Sequence, residues 1–90
     1  MYSQIAQRII KGQEAIIGPV AIEQAQAVSS LEVDWKNKKV TVKGDGAKVI
    51  DELVEKYKTL FGQISVEVCK EAAGPLIGKL SGASLPKSLA

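Results

Sequence analysis

The densest group of chemically active side chains lies between Lys36 and Lys48, where Lys36, Lys38, Lys39, Lys43 and Lys48 stand against Asp45 alone. The local excess is four positive charges, while the rest of the chain sums to −2. A basic segment beside an aromatic ring, here Trp35, suits a nucleic-acid strand: ammonium groups displace counterions and the ring stacks on a base. Alternation nevertheless puts Trp35 among the apolar residues, and the segment lacks arginine, the side chain best shaped to grip phosphate. The other reading is a solvated hairpin whose lysines deter edge-to-edge pairing. Polyanion binding is therefore the second expectation, behind protein binding.

Other reactive groups are sparse. Gly44-Asp45-Gly46-Ala47-Lys48 occupies the place of a phosphate loop, but it lacks the length and the hydroxyl of such a loop, and Asp45 would repel an anion. It reads as a turn with an aspartate helix cap. The chain has no histidine, so the commonest general base and metal ligand is missing. Its one cysteine, Cys69, has no internal disulfide partner and no imidazole to activate it. A small buried hydrophobe is the expected role. Glu52, Glu55 and Lys56 read as solvated helix charges. No catalytic residues, metal site or cofactor are expected.

The elements that carry these residues follow from apolar periodicity. Val49, Ile50, Leu53, Val54, Tyr57, Leu60 and Phe61 mark one face of a helix, capped by Asp45 and closed by Gly62. Tyr2 to Ile17 has the same rhythm and ends at Gly18-Pro19, after which a second helix should run to about Val28. Leu31, Val33 and Trp35 alternate with Glu32 and Asp34, and Val40 and Val42 with Lys39, Thr41 and Lys43. A turn centred on Asn37-Lys38 pairs Trp35 with Val40, Val33 with Val42 and Glu32 with Lys43. Gln63 to Val68 fits strand or helix; its Ala-rich continuation favours helix, interrupted at Gly74-Pro75, with Leu76, Ile77 and Leu80 in a last turn or two.

The chain also matches itself at an offset of 44 residues. Ile5, Ile9, Ile10, Ile16 and Ile17 fall on Val49, Leu53, Val54, Leu60 and Phe61; Gly18 falls on Gly62, Val20 on Ile64, Ala21 on Ser65 and Ala25 on Cys69. Such a match arises from duplication or from two helical hairpins converging on one pattern.

In element order, Ile16 to Leu53 resembles the KH RNA-binding module, with Val40-Thr41-Val42-Lys43-Gly44 in the place of its strand-to-helix step. That resemblance implies RNA binding through a G-x-x-G turn. Gly18-Pro19-Val20-Ala21 departs from it, having no second glycine and no basic residue. Leu31 to Leu53 is similar to the strand-strand-helix portion of heavy-metal-associated domains, which implies metal binding by a Met-x-Cys-x-x-Cys motif that this chain lacks.

Ninety residues, 46% apolar and 24% charged with a net charge of +2, suit one globular core. The longest stretch without a polar side chain, Ala15 to Ile22, is eight residues, against the roughly 20 a membrane helix needs. Met1-Tyr2-Ser3-Gln4 carries no sign of a secretory signal. The expected fold is mostly helical α+β, two helical hairpins flanking a central antiparallel β-hairpin in the order α-α-β-β-α-α, with a compact domain over 1–80 and a flexible tail over 81–90. The expected function is a small, cytoplasmic, non-catalytic protein-interaction or regulatory module. Its expected partner is a second copy or another protein, met through the broad stripe of Ile5, Ile9, Ile10, Ile16 and Ile17 on the first helix.

Overall fold

The structure is a computed structural model that describes residues 2–77; the expected tail over 81–90 and Leu80 lie outside the described residues. Four helices and a hairpin follow in the expected order: α1 (Tyr2–Ile17), α2 (Val20–Gln26), β1 (Leu31–Asp34), β2 (Lys39–Val42), α3 (Gly46–Phe61) and α4 (Gln63–Ile77). The fold is therefore a mostly helical α+β domain.

Local chemistry sets the helix ends. The Asp45 carboxylate accepts from the Lys48 backbone N–H at 3.3 Å and caps α3. Gly18 (φ +72°) and Gly62 (φ +79°) take the positive φ that turns α1 into α2 and α3 into α4. The Pro19 carbonyl accepts from Ile22 and Glu23, so the residue without a donor sits where none is needed. Gln63–Ile77 is helix, which resolves the ambiguity over Gln63 to Val68.

Two expectations need correction. Gly74-Pro75 does not interrupt α4, which runs on to Ile77. Pro75 lies in the last turn, where a missing N–H removes one bond from an end already short of partners. Leu76, buried beside Gln4, Gln7 and Arg8 of α1, anchors that turn. The hairpin register is also displaced by two residues: Leu31 pairs with Val42, Glu32 with Thr41, Val33 with Val40 and Asp34 with Lys39. Trp35 leaves the strand for a 3-10 turn (Trp35–Asn37), and Lys38 closes that turn with a left-handed φ of 54°. The indole then donates to Glu14 Oε2 at 3.1 Å, a bond the paired position opposite Val40 did not anticipate. A shift of two keeps every side chain on its own face, so the apolar face is unchanged.

Helix α1 is the centre of the molecule. It packs against α2, α3, α4 and β2, and Ile5, Ile9 and Ile10 are 0% exposed. The hairpin is tied along it by Ser3 Oγ, which accepts from the Val42 N–H, and by Gln7 Nε2, which donates to the Lys38 carbonyl. On the other side Gly12 lets α4 approach: a Cβ there would stand 3.2 Å from Ala72 Cβ.

The 44-residue match is visible in three dimensions. Helices α1 and α3 are both 16 residues long and both ends are offset by 44. Gln13 and Tyr57, equivalent under that offset, are each buried and each donate to the backbone of the opposite half. Gln13 Nε2 donates to the Ser65 carbonyl at 2.9 Å, and Tyr57 Oη donates to the Ala21 carbonyl at 2.6 Å. Ala21 and Ser65 are equivalent as well, so the two bonds join corresponding positions of the two halves. Each ties a first helix to the start of the other half's second helix.

Candidate interaction surface

The five lysines are all exposed, but they do not form one basic surface. Lys43 Nζ lies 3.3 Å from Glu32 Oε1, Lys39 stands opposite Asp34 in the ladder, and Lys38 Nζ sits 4.3 Å over the Trp35 ring. Lys48 is in the first turn of α3, outside the hairpin strands. Glu32 and Asp34 share the sheet's polar face with Lys39 and Thr41, so a polyanion would meet carboxylates there. The Trp35 ring is half-buried, with its N–H engaged by Glu14, rather than offered as a stacking platform.

The interior holds the polar chemistry of the fold. Cys69 is 0% exposed and its Sγ accepts from Gln13 Nε2 at 3.3 Å. Burial pushes the thiol up to about 11, an effect the Gln13 hydrogen bond partly offsets. The thiol is thus protonated at neutral pH and closed to solvent. Burial, and then the neighbouring Cys69, raise the Tyr57 phenol well above its ordinary range. Among the described residues no three His, Cys, Asp or Glu side chains gather where they would hold a metal ion. No helix of the described residues is long and apolar enough to cross a membrane.

The isoleucine stripe divides. Ile5, Ile9 and Ile10 are core and offer nothing to a partner, because four elements cover α1 rather than one hairpin. Ile17 is half-buried against the core. Ile16 alone is open, at 65% exposure. It is not isolated. The large exposed hydrophobics among the described residues are Ile16, Val20, Leu60, Phe61 and Ile64, and all flank the two glycine elbows. Ile16 and Leu60 are equivalent under the repeat, as are Val20 and Ile64; Ile64 reaches 72% exposure.

Both elbows lie at one end of the molecule. Gln13, one turn before the first elbow, bonds to Ser65, just after the second; Tyr57, one turn before the second, bonds to Ala21, just after the first. The exposed apolar residues therefore all lie near that end. An open groove of about 510 Å³ between α2 and α3, lined by Gln24, Glu52, Glu55, Lys56, Thr59 and Leu60, shares Leu60 with that end. Sequence reasoning placed Leu60 and Phe61 on the buried stripe of their helix and did not single out Val20 or Ile64. The available signal was their position: apolar residues next to a helix-ending glycine have no further turn to cover them.

No protein-family model, no curated protein and no solved structure matches this chain. No third strand joins the hairpin among the described residues.

Proposed function

We propose that this chain is a small, intracellular, non-catalytic protein-interaction module whose docking surface is the apolar end formed by the two glycine elbows. The observation that carries the reading is that every large exposed hydrophobic among the described residues lies near that end, four of the five in equivalent positions of the two halves. Apolar side chains gathered in this way favour a dry protein contact, whereas scattered ones need no explanation. A buried, protonated Cys69 and the lack of histidine are in keeping with a non-catalytic role. The paired and divided lysines make polyanion binding the weaker reading.

A photo-reactive phenylalanine derivative placed at position 64, with a control at exposed Thr41, tests this in the native cell extract with and without nuclease. Protein adducts are expected from position 64, unaffected by nuclease, and few from position 41. Adducts confined to position 41, or lost on nuclease treatment, would overturn the reading in favour of a hairpin that binds nucleic acid.

A further inference from the structure

We propose that the outer edge of β1 is a second binding surface, one that takes an extended segment of another protein in which basic and apolar residues alternate. The surface is separate from the elbow end and does not depend on it. The backbone shows it first. The Lys43 N–H donates to the Ser30 carbonyl at 2.9 Å, so Ser30 and Lys43 are a hydrogen-bonded pair. Such pairs alternate along an antiparallel ladder, and the register makes Glu32–Thr41 and Asp34–Lys39 the next two. Leu31 and Val33 therefore turn their N–H and C=O groups away from β2. The Leu31 N–H donates to the Val28 carbonyl. The Leu31 carbonyl and both backbone groups of Val33 have no partner among the described residues. They form the open side of a strand that another strand can extend.

The side chains of β1 select the occupant. Glu32 and Asp34 stand exposed on the polar face. Lys43 Nζ lies 3.3 Å from Glu32 Oε1, and Asn37 Nδ2 donates to Asp34 Oδ2 at 2.9 Å, so each carboxylate keeps a second oxygen. On the other face Val33 is only half-buried. A strand added about 4.8 Å from β1 sets alternate side chains beside these residues. Lys or Arg suits the places beside Glu32 and Asp34, and an apolar side chain beside Val33 completes its burial. Lys39, opposite Asp34 on β2, lies one strand further away. A second copy does not suit. Two β1 edges brought together set Glu32 and Asp34 against carboxylates. The outer edge of β2 lies along α1, where Ser3 Oγ holds the Val42 N–H.

Fluorescence anisotropy of labelled short peptides with the full chain tests the proposal. A peptide of alternating Lys and Val is expected to bind at sub-millimolar concentration, and its Glu/Val counterpart at least about tenfold more weakly. Two further Lys/Val peptides are N-methylated, one on its valines and one on its lysines. Only one set of amides faces β1, so one of these peptides should lose about tenfold or more and the other keep its affinity. A contact made by charge alone treats the two alike. On the protein, Glu32→Lys should weaken the Lys/Val peptide about tenfold, and Ile64→Glu should leave it unchanged. A Lys/Val peptide that stays unbound at millimolar protein, or that ignores which amides are methylated, overturns the proposal. So does one that responds to Ile64→Glu and not to Glu32→Lys. None of these results touches the elbow end, which cross-linking at position 64 tests separately.

Discussion

Ile9→Glu and Ile10→Glu are each expected to unfold the domain, while Ile16→Glu on the same helix leaves it folded. Ile9 and Ile10 are 0% exposed, inside the faces that α1 presents to its neighbours. Replacing either removes about 1.5–3 kcal/mol of apolar burial. It also forces a carboxylate into the core, at a cost of several kcal/mol whether it ionises or takes up a proton. Domains of this size are stable by only roughly 5–13 kcal/mol in total. The milder Ile9→Ala, at about 2–5 kcal/mol, should lower the melting temperature sharply without abolishing the fold. Ile16, 65% exposed, should tolerate glutamate within about 0.5 kcal/mol. Circular dichroism melts of the three glutamate variants decide the matter. A folded Ile9→Glu or Ile10→Glu chain would return those residues to the surface and contradict the packing described above.

The second large effect is alkaline unfolding. The Cys69 thiol ionises near its ordinary 9.0 in the unfolded chain but is held protonated up to about 11 in the folded one. Above pH 9 the unfolded chain therefore gives up this proton more readily than the folded chain. The stability tied to the protonated thiol is complete below pH 9 and is lost as pH rises through 11. Two pKa units correspond to about 3 kcal/mol. Tyr57, raised in the same direction, adds a further loss above its ordinary value of 10.0. Between pH 8 and pH 11 the wild-type melting temperature should fall steeply. Cys69→Ala should make that fall shallower between pH 9 and pH 11, leaving the part that Tyr57 contributes above pH 10. It should also leave cross-linking from position 64 within a few-fold of wild type, since the thiol touches only Gln13 and core neighbours. Coincident pH profiles for the two proteins would show that the thiol is not held in the core as described.

Much of the architecture was legible because each element carries its own punctuation. Asp45 caps α3, Gly18 and Gly62 turn the helices, and alternation sets the two faces of the hairpin. The burial of Cys69 followed from its match to Ala25 and from the absence of anything to activate it. The hairpin register was not legible, because the turn is settled by a tertiary bond: Trp35 reaches Glu14, 21 residues away, and leaves the strand to do so. The continuation of α4 through Pro75 depends in the same way on Leu76 finding α1.

The site was half legible. Five isoleucines on α1 are more than a surface helix needs, and the excess was read as a docking stripe. The excess has another cause, since α1 is covered by helices and hairpin on several sides at once and needs apolar residues on each. Only Ile16, beyond the last covered turn, keeps the expected exposure. Its counterpart Leu60, and Ile64, the counterpart of Val20, were in the repeat from the start, but an apolar residue on a helical stripe carries no mark of whether the stripe has ended.

The most direct test of the claim that apolar side chains stand open at the elbow end is isoleucine-methyl NMR with a soluble paramagnetic probe, recorded over a concentration series. The Ile5, Ile9, Ile10 and Ile50 methyls, all buried, should be shielded at every concentration. The expected result is that the Ile16 and Ile64 methyls, both exposed, are strongly relaxed by the probe at low micromolar protein. Ile16 and Ile64 methyls as shielded as those of the core at low micromolar protein would contradict the claim.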